Sequence, residues 1–382
     1  MVIPYARQYI EKEEIRAIAK VLKSDMLTQG PVTQEFEKAV AAYCGAKYAV
    51  AVSSGTAALH LACLAAGLGP GDFLWTSPNT FVASANCALY CGAQVDFLDI
   101  NPRTYNIDVT ALAEKLEAAA RQDRLPKVVV PVHFAGQSCE MAAIRELADK
   151  YGFTIIEDAC HALGGSYRGT KVGSCTFSEM TVFSFHPVKI ITTGEGGMIL
   201  TNRKDLCEKL RRLRTHGVTR NPGQMEGEPH GPWYYQQIEL GFNYRMTDIQ
   251  AALGLAQLQK IQKFLQRRRY LAKRYNEKLK DLPVILPYQH PETESAWHLY
   301  VIQVEAARRR EIFEHLRAEG ILVNVHYIPV HTQPYYKKLG FKTGDFPEAE
   351  QYYRGAITLP LHYGLSDKEQ DYVIERLQEI IR

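Results

Sequence analysis

The sequence lacks most features that would place a chain in a special class. Its net charge is only +3 over 382 residues, too small an excess for the basic face that nucleic-acid binding requires. Long apolar runs are missing too. The longest stretch, around Tyr48 to Leu68, is broken by Ser53, Ser54, Thr56 and His60, so no membrane span is expected. The opening MVIPYARQYIEKEE has none of the charged start, apolar core or small-residue cleavage site of a secretory signal, and a cytoplasmic location is the expectation. Eight cysteines occur singly (Cys44, Cys63, Cys87, Cys91, Cys139, Cys160, Cys175, Cys207), without a CxxC pair or a matching histidine spacing. Buried thiols are expected rather than disulfides, and no metal. No internal repeat or low-complexity tract is visible.

What is present is an ordinary globular composition, 46% hydrophobic and 23% charged, in a chain long enough for one large domain and a smaller one. Short apolar runs alternate with helical patterns as far as residue 200, which predicts a mostly parallel sheet covered on both faces. Tyr48 to Val52 reads as a strand that stops at Ser53-Ser54-Gly55, and a helix begins at Thr56. Such a turn is either a plain N-cap or a phosphate cradle built from free amides and the positive helix end. Phe81, placed early in the next helix, is either core or a face for an aromatic ligand. Phe153 to Ile156 leads to Glu157 and Asp158 at a strand's carboxyl end, the edge where open α/β sheets bind ligands.

The stretch TVFSFHPVKIITTGEGGMILTN, Thr181 to Asn202, holds one lysine between two strand patterns. Lys189 on this connection can be drawn out of water. Desolvation lowers an amine's pKa and frees its lone pair for a carbonyl, the chemistry of a Schiff base. The small residues after it are expected to let backbone crowd a bound ring, and Thr192 and Thr193 to offer hydroxyls. From Gly217 to Pro232 the chain is rich in Gly and Pro and predicts a loop, a flap or partner-facing arm. Thr247 with Gln250 forms a capping box for a long helix running to about Leu279. Beyond it, SAWHLYVIQV, ILVNVHYIPVH and AITLPLHY read as strands of a second, smaller α/β unit. The expected division is 1–250 and 251–382.

A lysine nucleophile, a phosphate cradle, an aromatic face and a strand-end acid together suit pyridoxal phosphate. The motifs SSGTAAL, TFVASAN, EDACHALGG, SFHPVKIITTGEGG and LGFNYRMTDIQAALGLAQL, in this order, resemble the DegT/DnrJ-type family of sugar aminotransferases. The resemblance spans nearly the whole chain. It implies the type I aminotransferase fold, with a mostly parallel seven-stranded sheet in the large domain and a smaller C-terminal α/β domain. It also implies a homodimer whose active site is shared between subunits.

By the same resemblance Lys189 is the Schiff-base lysine and Asp158 the partner of the cofactor's ring nitrogen. Thr56 and Ala57 form the phosphate turn, Phe81 stacks on the ring, Ser184 reaches the phosphate, and Asn243 crosses from the neighbouring subunit. His161 stands where many relatives have Gln beside the phenolic oxygen. Tyr5, the turn Asp25, Met26, Leu27 and Thr28, together with His326 and Tyr327, are expected to line the sugar-nucleotide pocket, with Thr56, Ser184 and Asn243. The implied reaction moves the amino group of L-glutamate to the 4-keto carbon of a UDP-linked 4-keto-6-deoxy-N-acetylhexosamine, as in pseudaminic acid biosynthesis. A different nucleotide-linked keto sugar stays open. A dehydratase on this fold carries histidine in place of the lysine, and Lys189 argues against it.

Overall fold

A computed structural model describes residues 2–381. Val- and Ile-rich segments with little exposure on either side build a seven-stranded sheet, ordered Tyr48–Val52, Gly197–Thr201, Met180–Ser184, Thr154–Asp158, Val128–Val130, Phe73–Thr76 and Gln94–Phe97. Gly197–Thr201 runs against both its neighbours. The remaining pairs are parallel. The connection from Met180–Ser184 to Gly197–Thr201 holds no helix, and the chain returns antiparallel to the strand it left. The mostly parallel seven-stranded sheet expected from the sequence is what the chain forms.

Side-chain alternation along the strands sorts the sheet into two faces. Val52, Val130, Ile156 and Val182 pack under the helices Gly55–Ala65, Ala83–Tyr90 and Lys204–Leu213. Val129 and Ile155 join Val109–Ala120 and Met141–Tyr151 on the other face, and Ala51 and Phe183 meet Pro31–Cys44 there. Two residues further along Thr154–Asp158, the same alternation puts Asp158 on the first face and Glu157 on the second.

The C-terminal part has its own core, in which Tyr275, Tyr300, Ile302, Leu359 and Leu377 are buried together. Ile3 belongs to it, because Ile3–Pro4 pairs in parallel with Ile321–Leu322. A cut at residue 250 therefore does not describe the first strand, which sits with residues 251–382. The long helix also differs from expectation. The capping box of Thr247 and Gln250 is present, but the helix breaks at Lys260 into Asp248–Gln259 and Ile261–Leu279. Lys260 is held there by Glu11, Glu13 and Glu14 of the N-terminal region. Of ILVNVHYIPVH, only Ile321–Leu322 is a strand. The rest bends past the sheet and closes in a short turn at Val330–Thr332. Gly217 to Pro232 is tied by a two-residue ladder, Val218–Thr219 with Gln236–Gln237. No helix among the described residues is long and apolar enough to cross a membrane.

Candidate active site

At the carboxyl edge of the sheet lies a cavity of about 570 Å³, within the range of ligand pockets. Its wall includes Tyr5, Thr56, Phe81, Asp158, His161, Ser184, Lys189, His326 and Tyr327. Nine positions read from the sequence thus meet in one place. The others do not line it. Ala57 is buried just behind the wall. Asp25, Met26, Leu27, Thr28 and Asn243 are exposed on this chain's own surface. That turn and the GFNYRMTD segment are fastened to each other, since Asp248 N–H donates to Leu27 O at 2.9 Å and Thr28 bridges Thr247.

The turn before Gly55–Ala65 forms as a helix N-terminus. Ser54 caps it by accepting from the Ala57 amide at 3.1 Å. Ala57's amide is thus engaged by a side chain, leaving those of Gly55 and Thr56 without an intrahelical partner. The turn lies hard against two strands. A Cβ on Gly197 would stand 2.3 Å from Ser54 O, and one on Gly55 would stand 2.9 Å from Ser184 Cβ. Gly197 therefore makes room for backbone, not for a ring as its motif suggested. The Thr192 and Thr193 hydroxyls are also spent on backbone, donating to Phe185 O and Glu195 O.

Asp158 is buried, and both its oxygens accept hydrogen bonds. Oδ2 receives the Ser84 hydroxyl at 2.6 Å and Oδ1 the Cys160 amide at 3.1 Å. Ser84 in turn shares a hydrogen bond with Thr80 at 2.7 Å. Lys189 is half-buried, and its Nζ makes no hydrogen bond or ion pair among the described residues. Burial pushes its amine below the ordinary lysine range, against the opposing pull of Cys160 and Asp158. Phe81 sits two residues before the helix Ala83–Tyr90, not within it, and its ring is 59% exposed at the cavity mouth.

Part of the cavity wall is made of the rings of His161, His326 and Tyr327, with that of His298 packed against His161. His161 Nε2 and the Tyr327 hydroxyl are 3.1 Å apart. The His298 ring lies 4.4 Å from that of His161, and His326 Nδ1 pairs with the Thr358 hydroxyl at 2.8 Å. Burial pushes all three histidines down, His326 to about 3, and the nearby Lys189 amine adds to the effect. They are neutral imidazoles at neutral pH. Ser84, Thr80, Cys160 and His298 were given no role at the site by the sequence. Ser84 left one trace, as one of the two hydroxyls, with Thr80, in the TFVASAN motif that supplied Phe81.

A model of the DegT/DnrJ/EryC1/StrS aminotransferase family matches residues 8–378. The chain belongs to that family. It is 43% identical to the spore coat polysaccharide biosynthesis protein SpsC of Bacillus subtilis, over 100% of this chain and 97% of that protein. It is 37% identical to the UDP-4-amino-4,6-dideoxy-N-acetyl-beta-L-altrosamine transaminase of Campylobacter jejuni, over 99% of this chain and 97% of the relative. Among solved structures, Helicobacter pylori PseC, an aminotransferase involved in the biosynthesis of pseudoaminic acid, superposes with a TM-score of 0.91 at 32% identity, covering 100% of this chain and 99% of that one. The fold is the type I aminotransferase fold. The chain is a sugar aminotransferase of a family that depends on pyridoxal phosphate. The residues present fit that cofactor. An unpartnered, desolvated amine, a helix N-terminus pressed against a serine and a buried strand-end carboxylate line the same wall.

Proposed function

We propose that this aminotransferase moves the amino group of L-glutamate to the 4-keto carbon of a UDP-linked 4-keto-6-deoxy-N-acetylhexosamine, giving UDP-4-amino-4,6-dideoxy-N-acetyl-beta-L-altrosamine and 2-oxoglutarate. The observation that carries the reading is end-to-end similarity both to a transaminase of that amino sugar and to PseC. A second reading, another nucleotide-linked keto sugar or another carbon, is favoured by the higher identity to the spore coat polysaccharide protein.

Bound at this wall, pyridoxal phosphate supplies an aldehyde for amines and a ring that draws electrons from the carbon being deprotonated. The chain's residues do the rest. Lys189 anchors the cofactor and, when released, its neutral Nζ takes the proton from the substrate carbon and returns it. The Asp158 carboxylate holds a positive charge at the ring nitrogen, and Ser84 and the Cys160 amide fix its direction. Thr56, the Gly55 amide and Ser184 receive the phosphate, and Ala57 is the residue on which the Ser54 cap closes. Phe81 would cover one side of the ring, and His161 would meet its phenolic oxygen. Tyr5, His326 and Tyr327 receive the sugar.

Asn243 and the turn Asp25–Thr28, exposed on their own chain, complete the cavity of the partner in a homodimer. The decisive experiment incubates purified protein with glutamate and a panel of UDP- and dTDP-linked keto sugars. Product mass and the configuration at the aminated carbon are then read by NMR. Amination of the UDP-linked 4-keto sugar alone is expected. Exclusive amination of a dTDP sugar or of a different carbon would replace this reading with the second.

A further inference from the structure

Directly behind Asp158, on the opposite face of the sheet, two buried groups are joined. Glu157 Oε2 and His133 Nε2 are 2.6 Å apart, and both side chains are almost wholly enclosed. His133 Nδ1 accepts the Cys139 amide at 3.1 Å, so it bears no proton. Nε2 therefore carries the hydrogen and donates it to the carboxylate. Glu157 Oε1 accepts two more, from the hydroxyls of Ser178 and of Thr181, the latter at 3.0 Å. Burial alone would raise this carboxyl, but the donors of His133, Ser178 and Thr181 outweigh it and hold the group below the usual glutamate range. A buried carboxylate with three donors is a fixed point in the sheet. It takes no part in the chemistry described above.

The backbone shows what it fixes. His133 N–H donates to Asp158 O at 3.0 Å, and Asp158 N–H donates to Pro131 O at 2.9 Å. The same loop then turns through Phe134–Gly136, with Ala135 at φ 57°. Ala135 O accepts the His298 amide at 2.8 Å, and Gly136 O accepts the Ala296 amide at 3.0 Å. Gly136 is required there, since its φ is +105° and a Cβ would meet Trp297 N at 2.9 Å and His161 O at 3.0 Å. One loop thus touches the backbone of Asp158, of His161 and of His298.

We infer that Glu157 and His133 form a latch which positions the Asp158 carboxylate and, through the loop that begins at His133, seats His298 and the C-terminal part of the chain against the cavity. Both are positioning residues: neither lines the cavity, and each acts through Asp158 or through His298. The inference rests on Asp158 being the acid that faces the cofactor's ring.

The test compares Glu157→Leu, Glu157→Gln and Asp158→Ala as holoenzymes. Each is measured for kcat, for KM toward glutamate, for cofactor Kd and for the pH dependence of the cofactor's absorbance. A glutamine can accept from His133 with its oxygen while its amide donates to the two hydroxyls, so it keeps the latch without the charge. Glu157→Leu removes every bond. The expected result for Glu157→Leu is a kcat lower by on the order of tenfold to a hundredfold, the penalty of a slightly misplaced group. Its KM for glutamate stays within about threefold, and its absorbance profile shifts toward that of Asp158→Ala. Glu157→Gln keeps kcat within about threefold and the profile of the parent.

If Glu157→Leu does not fold, Ser178→Ala removes one donor from a half-buried position and should move kcat and spectrum in the same direction by about threefold. A folded Glu157→Leu, or Ser178→Ala in its place, with unaltered kcat and spectrum overturns the latch. So does a Glu157→Gln as impaired as the leucine variant, because that makes charge and not positioning decisive. If Asp158→Ala itself leaves the absorbance profile unchanged, the role of Asp158 fails first, an outcome separable from the failure of the latch.

Discussion

At Lys189 burial and charge oppose each other. Enclosure lowers the amine's pKa, Cys160 and Asp158 raise it, and enclosure outweighs them, so the group sits below the ordinary lysine range. A lysine so shifted gives up its proton more readily, and once neutral it both bonds a carbonyl and accepts a proton. Lys189→Ala is expected to lower turnover by at least about a thousandfold, and borohydride should no longer fix cofactor mass to the peptide holding position 189. Adduct formation at another lysine in that variant would move the anchor elsewhere. Asp158→Ala is expected to bind cofactor yet turn over on the order of a hundredfold to a thousandfold more slowly, and near-parent turnover would remove its role. Both residues were legible because their chemistry is distinctive and each follows from a strand pattern, Asp158 at a strand's end and Lys189 on the connection between two strands. Ser84 was not, because serine is common and only folding aims its hydroxyl at Asp158 Oδ2. Nor was His298, which reaches His161 through the seam between the two parts of the chain.

Among the elements, the first turn of Gly55–Ala65 depends most on close approach. The Ser54 backbone lies where a side chain on Gly197 would be, so the strand carrying position 197 must stay bare. In Gly197→Ala a methyl group meets backbone that cannot yield without moving the turn. The expected outcome is a cofactor Kd raised at least about tenfold, with sheet content by circular dichroism unchanged. Titration of the purified variant with pyridoxal phosphate measures it, and an unaltered Kd would dissociate the turn from phosphate binding. Strand and helix patterns were readable wherever one element buried a regular face. Two short helices, Pro334–Lys338 and Pro347–Gly355, escaped notice, although each begins with proline at its first position, a recognised start signal. The break at Lys260 escaped for another reason: the apolar stripe runs on through it, and the acidic groups holding Lys260 come from the other end of the chain.

For the whole molecule, the positions left outside the cavity of their own chain give a direct test. If Asn243 serves the partner's site, mixed dimers of Lys189→Ala and Asn243→Ala contain one intact site each. Unfolding and refolding an equal mixture should then restore roughly a quarter of parent turnover, since about half the dimers are mixed. No recovery would place Asn243 in its own subunit's chemistry or outside the site altogether. Acid stability offers a second measurement. His161, His298 and His326 are held neutral in the fold, while an unfolded histidine takes its proton near pH 6.5. Their contribution is therefore complete above that pH and is lost as pH falls toward the folded values, by up to about 1.4 kcal/mol per pH unit for each histidine. Urea midpoints between pH 7.5 and 5 should fall accordingly, and a flat profile would mean that these rings take up protons in the fold as readily as in the unfolded chain. The sequence by itself determined the main strands and helices of the large sheet, the lysine and the acid, because periodicity and side-chain chemistry are local. Only the tertiary structure decided which hydroxyl steadies the acid, that His298 joins the other histidines, that Gly197 yields space to backbone, and that the turn Asp25–Thr28 stands outside the cavity of its own chain. Those outcomes depend on which faces of distant segments meet, and burial fixes that only when the whole chain packs.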